Sequence, residues 1–158
     1  MSQDRIIYLA GLMDGEGTFS IQVNRRFYKG TPSVHFTPRM TMTLKYGTET
    51  LNMLVEEFGG KIYDYPEEKK WSLGTVQSLK EATIKLLPYL TIKKRIAERF
   101  LEALEVFPNH RTGNSFKGER SWTEEMSRKV GEIALTLNPY KKSPKTLEYL
   151  KELDIIYK

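Results

Sequence analysis

The residues best equipped for chemistry in this 158-residue chain stand near its start: Asp14 and Glu16, two carboxylates separated by Gly15 and followed by Gly17. They close an apolar stretch rich in small residues, Leu9-Ala10-Gly11-Leu12-Met13. A helix C-terminus is already electronegative, so an acid placed there gains when a cation shares the site. Mg²⁺ suits such a place, as a hard ion held by one or two carboxylates with water and substrate phosphate. An ion of that kind polarises a phosphate, activates water and stabilises a leaving oxygen. Two other readings fail on spacing. An EF-hand loop begun at Asp14 needs glycine at its sixth position and glutamate at its twelfth, where Phe19 and Arg25 stand. A dinucleotide loop needs a third glycine and follows a strand, whereas Gly15-Glu16-Gly17 precedes one. A plain polar turn closing a buried helix would use the same letters.

The elements that must position this pair follow from periodicity. Ser2 is placed to cap a helix from Gln3 to Asp14, and Ile6, Ile7, Leu9, Leu12 and Met13 surround it almost completely, the pattern of a buried helix. From Gly17 the period changes to two. Phe19, Ile21 and Val23 alternate with Ser20, Gln22, Asn24 and Arg26. Beyond a turn near residues 29–32, Val34, Phe36, Met40 and Met42 alternate with His35, Thr37, Arg39, Thr41 and Thr43. This spacing predicts two long antiparallel strands over residues 17–27 and 33–45.

Thr48 opens a predicted helix that Gly59-Gly60 ends after Phe58. A shorter hairpin is expected over 61–65 and 70–76, then a helix from Ser78 to Leu87 interrupted by Pro88. Helical spacing resumes over 92–107. A polar loop at 108–121 and helices at about 123–137 and 144–153 complete the chain. The whole reads as one domain, residues 1–158, with a core of about 3–107 and a helical tail of about 123–153.

Composition narrows the partners. A net charge of +5 leans toward a polyanion. The absence of cysteine excludes disulfides and cysteine-ligated zinc, and fits a reducing compartment. The apolar runs are too short to span a membrane, and the start lacks a signal peptide's basic and apolar regions. No membrane partner is expected. His110 is joined by no second histidine in a nuclease motif, so neither histidine is expected to be catalytic.

The string Leu9-Ala10-Gly11-Leu12-Met13-Asp14-Gly15-Glu16-Gly17 resembles the signature of the LAGLIDADG homing endonucleases, with Met13 for isoleucine, Gly15 for alanine and Glu16 for aspartate. It occurs once. The element order over residues 3–107 also resembles that family's αββαββα core. The fold class so implied is α+β, a curved antiparallel sheet forming a DNA-binding saddle, with C-terminal helices added.

The resemblance implies a homodimer, because two strands are cut and each motif supplies one metal-binding acid. It puts Ala10, Gly11, Asp14 and Gly15 at the dimer interface, with Glu16 and the carbonyl of Gly15 as metal ligands. Asp14 takes a capping role. Mg²⁺ is the implied cofactor, with Mn²⁺ or Ca²⁺ as substitutes. Lys93 matches the family's basic residue near the scissile phosphate. The polar faces of the strands become the DNA-reading surface: Ser20, Gln22, Asn24, Arg26, His35, Thr37, Arg39, Thr41 and Thr43, then Lys61, Tyr63, Tyr65, Lys70 and Ser72. A solvated sheet face would alternate in the same way.

One position departs from the family. A glutamine common near the end of the second strand is here Leu44, flanked by Thr43 and Lys45. Either a neighbour substitutes, the alignment shifts by one, or catalysis is weakened. The implied activity is cleavage of a long pseudo-palindromic double-stranded DNA site with short 3′ overhangs. The alternative is an intron RNA maturase or a DNA-binding regulator of the same fold. The implied setting is intracellular, in a prokaryote or encoded within a chloroplast or mitochondrion.

Overall fold

The computed structural model describes residues 2–28, 31–107 and 124–137. Helix α1 (Gln3–Glu16) leads directly into strand β1 (Gly17–Tyr28), which pairs along its whole length with β2 (Thr31–Leu44). Helix α2 (Thr48–Phe58) follows, then β3 (Lys61–Asp64) and β4 (Lys69–Leu73). Helix α3 (Val76–Leu86), a 3₁₀ turn (Leu87–Tyr89), α4 (Lys94–Val106) and α5 (Glu124–Thr136) complete the described chain. The four strands form one antiparallel sheet in the order β1-β2-β4-β3. This is the α+β architecture expected from the αββαββα order.

The two-residue period works because one sheet face is dry. Phe19, Ile21, Val23, Phe36, Met40, Met42, Trp71 and Leu73 are buried, and α1, α3, α4 and α5 all contribute to the same core. Phe19 meets Phe100 of α4 with ring centroids 5.5 Å apart, and Phe58 of α2 meets Trp71 at 6.5 Å. The Trp71 indole donates 2.9 Å to the Gly59 carbonyl, so the turn after α2 is tied to β4. No helix among the described residues is long and apolar enough to cross a membrane.

Several expected boundaries move, each for a local reason. Helix α1 does not stop at Asp14; Gly15 and Glu16 form its last turn, and Gly17 enters the strand at φ −80, ψ 159. Gly17 is buried on Met13, whose Cα would lie 2.9 Å from an added Cβ, so a side chain there would collide with the helix. Ser2 makes no side-chain capping bond. The residue preceding α2 is Gly47, at φ +116, a left-handed conformation that glycine adopts without a Cβ clash.

Strand β2 starts at Thr31, so Pro32 belongs to the strand rather than to a turn. Strand β3 ends at Asp64, and Tyr65 instead exchanges backbone hydrogen bonds with Glu68 across the turn. Strand β4 ends at Leu73. The Leu79 N–H already donates to the Thr75 carbonyl at 2.9 Å, so α3 starts at Val76, ahead of Ser78. Pro88 sits in the 3₁₀ turn, where its missing N–H costs nothing. The loop expected at 108–121 and the helix expected at 144–153 lie outside the described residues.

One expectation about α1 is corrected more deeply. Its apolar surround predicted burial on all sides, yet only Leu9, Ala10, Met13 and Asp14 are buried. Ile7 and Tyr8 keep 45% and 49% of their surface, and Gly11 and Gly15 are exposed with nothing within 4 Å of an added Cβ. One face of the helix packs on its own chain. The other is apolar, low in profile and open.

Candidate functional site

The two motif acids have opposite surroundings. Asp14 turns inward. One carboxylate oxygen accepts from the Thr91 N–H at 2.8 Å and from the Thr91 hydroxyl at 2.9 Å, and the other accepts from the Lys93 N–H at 2.9 Å. Burial alone would raise its pKa, but these bonds, with a contribution from the Ile92 backbone, outweigh it and hold the carboxyl below its ordinary 3.8. Asp14 therefore occupies the place of a capping acid ahead of α4. Thr91 serves Asp14 with its hydroxyl instead of capping α4 itself, and the helix begins at Lys94.

The exchange is reciprocal. The Lys93 ammonium donates to the Met13 carbonyl at 3.0 Å and to the Gly17 carbonyl. These are the main-chain groups on either side of Glu16 at the end of α1, where the Met13 carbonyl also accepts the Gly17 N–H that closes the helix. A cation there complements the negative helix end. Each segment thus caps the other. Glu16, in contrast, is exposed at the tip of α1 and makes no side-chain hydrogen bond to another described residue. The structure brings Glu16, Gly15 and Lys93 together.

The donors at that tip are all hard oxygens: the free Glu16 carboxylate and the main-chain carbonyls of the last helical turn. Among the described residues no three His, Cys, Asp or Glu side chains group as a metal cage. A lone carboxylate suits Mg²⁺, which keeps several waters and draws other ligands from substrate phosphate. Asp14 is committed instead to the turn ahead of α4, where both its oxygens accept from Thr91 and Lys93.

From Gly17 onward the opposite sheet face presents polar side chains in register. Ser20 faces Arg39, Gln22 faces Thr37, and Asn24 faces His35. Thr41 is flanked by Thr18 and Ser72, and Ser72 by Lys61; Thr43 faces Lys70, and Lys70 faces Tyr63. The expected surface residues therefore form cross-strand rows on one face. Gln22, Asn24, Lys61, Tyr63 and Tyr65 are exposed, and the rest of the described set is half-buried. Tyr65 joins from the turn. Arg26 is in β1 opposite Ser33, and its side chain lies outside the described residues. Ser20, Gln22, Arg39, Thr41, Tyr63, Tyr65, Lys70 and Ser72 line a depression of about 310 Å³.

Leu44, where the family's glutamine was expected, packs against the core at the end of β2. By strand alternation Thr43 is the residue of that pair on the polar face, and Lys45 is exposed beyond the strand. Of the four expected interface residues, Gly11 and Gly15 lie on the open helix face, while Ala10 is fully buried in its own chain and Asp14 is held by Thr91 and Lys93 ahead of α4. Composition gave no hint of this division, because small residues occur on both sides of α1.

A family model for the LAGLIDADG endonuclease matches residues 9–105. The chain belongs to that family. Within it, the DNA endonuclease I-CreI of Chlamydomonas reinhardtii is 24% identical over 133 residues, covering 80% of this chain and 78% of that one. Among solved structures, the group I intron-encoded homing endonuclease I-CeuI complexed with DNA superposes with a TM-score of 0.76 at 18% identity, covering 99% of this chain and 77% of that one. The homing endonuclease I-CvuI, crystallised with the I-CreI target and magnesium, gives 0.70 at 20% identity and 96% coverage of both chains. The LAGLIDADG fold is thus present from the motif helix through α4.

Proposed function

We propose that this LAGLIDADG protein is a site-specific homing endonuclease that makes a double-strand break as a homodimer. The observation carrying this reading is that Glu16, bracketed by the carbonyls that bind Lys93, immediately precedes strand β1. The cutting group and the reading surface are consecutive in the chain, with no linker to blur their spacing.

The roles follow from chemistry. Gln22 and Asn24 carry the donor–acceptor pair that reads adenine, Arg39 suits guanine, and the threonine methyls suit thymine. Strand β1 has 12 residues, so it spans about 40 Å at ~3.3 Å per residue, roughly one turn of DNA. Two subunits cover on the order of 20 base pairs. The open face of α1, with Ile7, Tyr8, Gly11 and Gly15, is low enough for a second copy of the helix to approach, which sets two Glu16 carboxylates near one axis. Mg²⁺ bound by Glu16 and the Gly15 carbonyl would supply charge neutralisation at the scissile phosphate. Lys93 holds the end of α1 in place, and its ammonium offsets negative charge where Glu16 and a phosphate meet. Cutting across the minor groove would leave short 3′ overhangs. I-CreI and I-CvuI are named as homing endonucleases or DNA endonucleases, which supports the same assignment.

The test is cleavage of a randomised double-stranded DNA library with Mg²⁺, using Glu16→Gln as control. Wild-type protein should give discrete products with short 3′ overhangs from a long pseudo-palindromic site. Glu16→Gln should bind the same site and cut at least about 10³-fold more slowly, since a metal ligand is worth several kcal/mol to the transition state. Sedimentation should report a dimer. Selective binding without cutting by wild-type protein would instead make this a DNA-binding regulator or an intron RNA maturase.

A further inference from the structure

Arg39 has an unusual neighbour. It stands on β2 opposite Ser20 of β1. On its other side, β2–β4 pairing begins at Met40 and Leu73. One register step beyond that pair is Gly74, where β4 has just ended. The space a Gly74 side chain would fill is taken by Arg39. A Cβ at residue 74 would overlap Arg39 Nη1 and come within 2.8 Å of Cζ and 3.5 Å of Cδ. The guanidinium therefore lies across the end of β4, in the notch left by a missing side chain, while Arg39 still lines the depression on the polar face.

We infer that Gly74 is a specificity-determining residue, acting by seating Arg39 so that its guanidinium reads one base pair in each half-site. This inference rests on the DNA-reading function proposed above. Arginine is long, and its rotamer freedom is lost on binding unless a seat restricts it beforehand. A planar fork held at a fixed height is the form that accepts both acceptors of a guanine edge. The backbone does not require glycine at residue 74. Its φ lies outside the left-handed region, which among the described glycines is confined to Gly47, Gly59 and Gly60. Alanine therefore fits the backbone, and the three atoms nearest the added methyl all belong to the Arg39 side chain. The effect is aimed at one side chain.

The test uses the duplex site selected by wild-type protein and its full set of single base-pair substitutions, with binding measured in Ca²⁺. Wild-type, Gly74→Ala, Arg39→Ala and the double variant are compared. Arg39→Ala and Gly74→Ala should both collapse the same preference, from about tenfold discrimination toward none. Other positions should stay within about twofold. In the Arg39→Ala background, Gly74→Ala should change nothing further, since the seat is then empty. Gly74→Ala retaining the full preference, or altering it equally in both backgrounds, overturns the seat while leaving the nuclease reading intact. An Arg39→Ala protein whose whole preference profile is unchanged also overturns it. Wild-type protein that selects no sequence removes the underlying reading as well, which the library experiment identifies independently. Thermal melting of Gly74→Ala should match wild type within a few degrees; a collapsed melt with intact preference also overturns the assignment.

Discussion

Strand β1 has a closed end and an open face, and the contrast between them explains how this LAGLIDADG fold divides its work. At the closed end, Asp14 accepts three hydrogen bonds from Thr91 and Lys93, and the Lys93 ammonium is spent on the carbonyls around Glu16. Of these three charged side chains, Glu16 alone makes no hydrogen bond to another described residue. Along the open face, the side chains of Gln22, Asn24, Thr37, Thr41 and Ser72 make no hydrogen bond to another described residue. Chemistry requires a fixed geometry, because a small displacement of a catalytic group is expensive in rate. Recognition requires donors and acceptors left unsatisfied until DNA arrives. Changes at the closed end should therefore alter rate and stability but spare sequence preference, and changes on the open face should do the reverse.

The largest test of that division is Lys93→Met, which keeps the aliphatic arm and removes the charge. Cleavage should fall by about 10²-fold, in the range of losing one preorganised charge donor. Stability should fall by about 2 kcal/mol, because the Met13 and Gly17 carbonyls lose a charged partner. The base-preference profile should be unchanged. A shifted profile with normal turnover would break the comparison at its strongest point.

Asp14→Asn sharpens it through pH. The amide keeps the shape but offers an N–H where a neighbouring N–H now donates, so a loss of about 2 kcal/mol is expected near neutrality. The sign of the pH effect follows from the depressed carboxyl pKa. The unfolded chain takes up the proton first, so the stability from Asp14 is complete above 3.8 and declines as pH falls through the folded value. Denaturation between about pH 6 and pH 2 should show the two proteins converging on acidification. A gap that stays constant would mean that Asp14 contributes shape alone.

Much of this was written in residue pattern, and the remainder was not for a common reason. The strands were legible because burying one sheet face forces period two, so Phe19, Ile21 and Val23 marked the core and Ser20, Gln22 and Asn24 the open side together. The end of α1 was not, because Gly15 and Gly17 read locally as a turn. The last helical turn survives through bonds to residues 77 to 80 positions away, which no local pattern encodes. Strand β4 stops at Leu73, three residues short of the expected Val76, which is out of phase with Trp71 and Leu73 and opens α3 instead. Candidate residues could be assigned to faces, but Ala10 and Gly11 are alike in letters and opposite in surroundings. Arg39 was visible as a candidate reading residue; its place against Gly74 was not, since it depends on where β4 stops.

The smallest effect should come from the open face, and it is the most discriminating. Gln22 is exposed, faces Thr37 and makes no side-chain hydrogen bond to another described residue. Gln22→Ala removes no contact that folding uses, so stability should move by less than about 0.5 kcal/mol, and turnover on bound DNA should be unaltered. What changes is selection. If the amide reads a base edge, its loss should cost about 1–2 kcal/mol at one base pair per half-site and relax preference there alone. A protein that merely displayed a solvated sheet would show the same null in stability but none in preference. The pair of readings, melt unchanged and one position relaxed, separates a recognition surface from an ordinary wet face, and it does so without disturbing the end of the strand that follows Glu16.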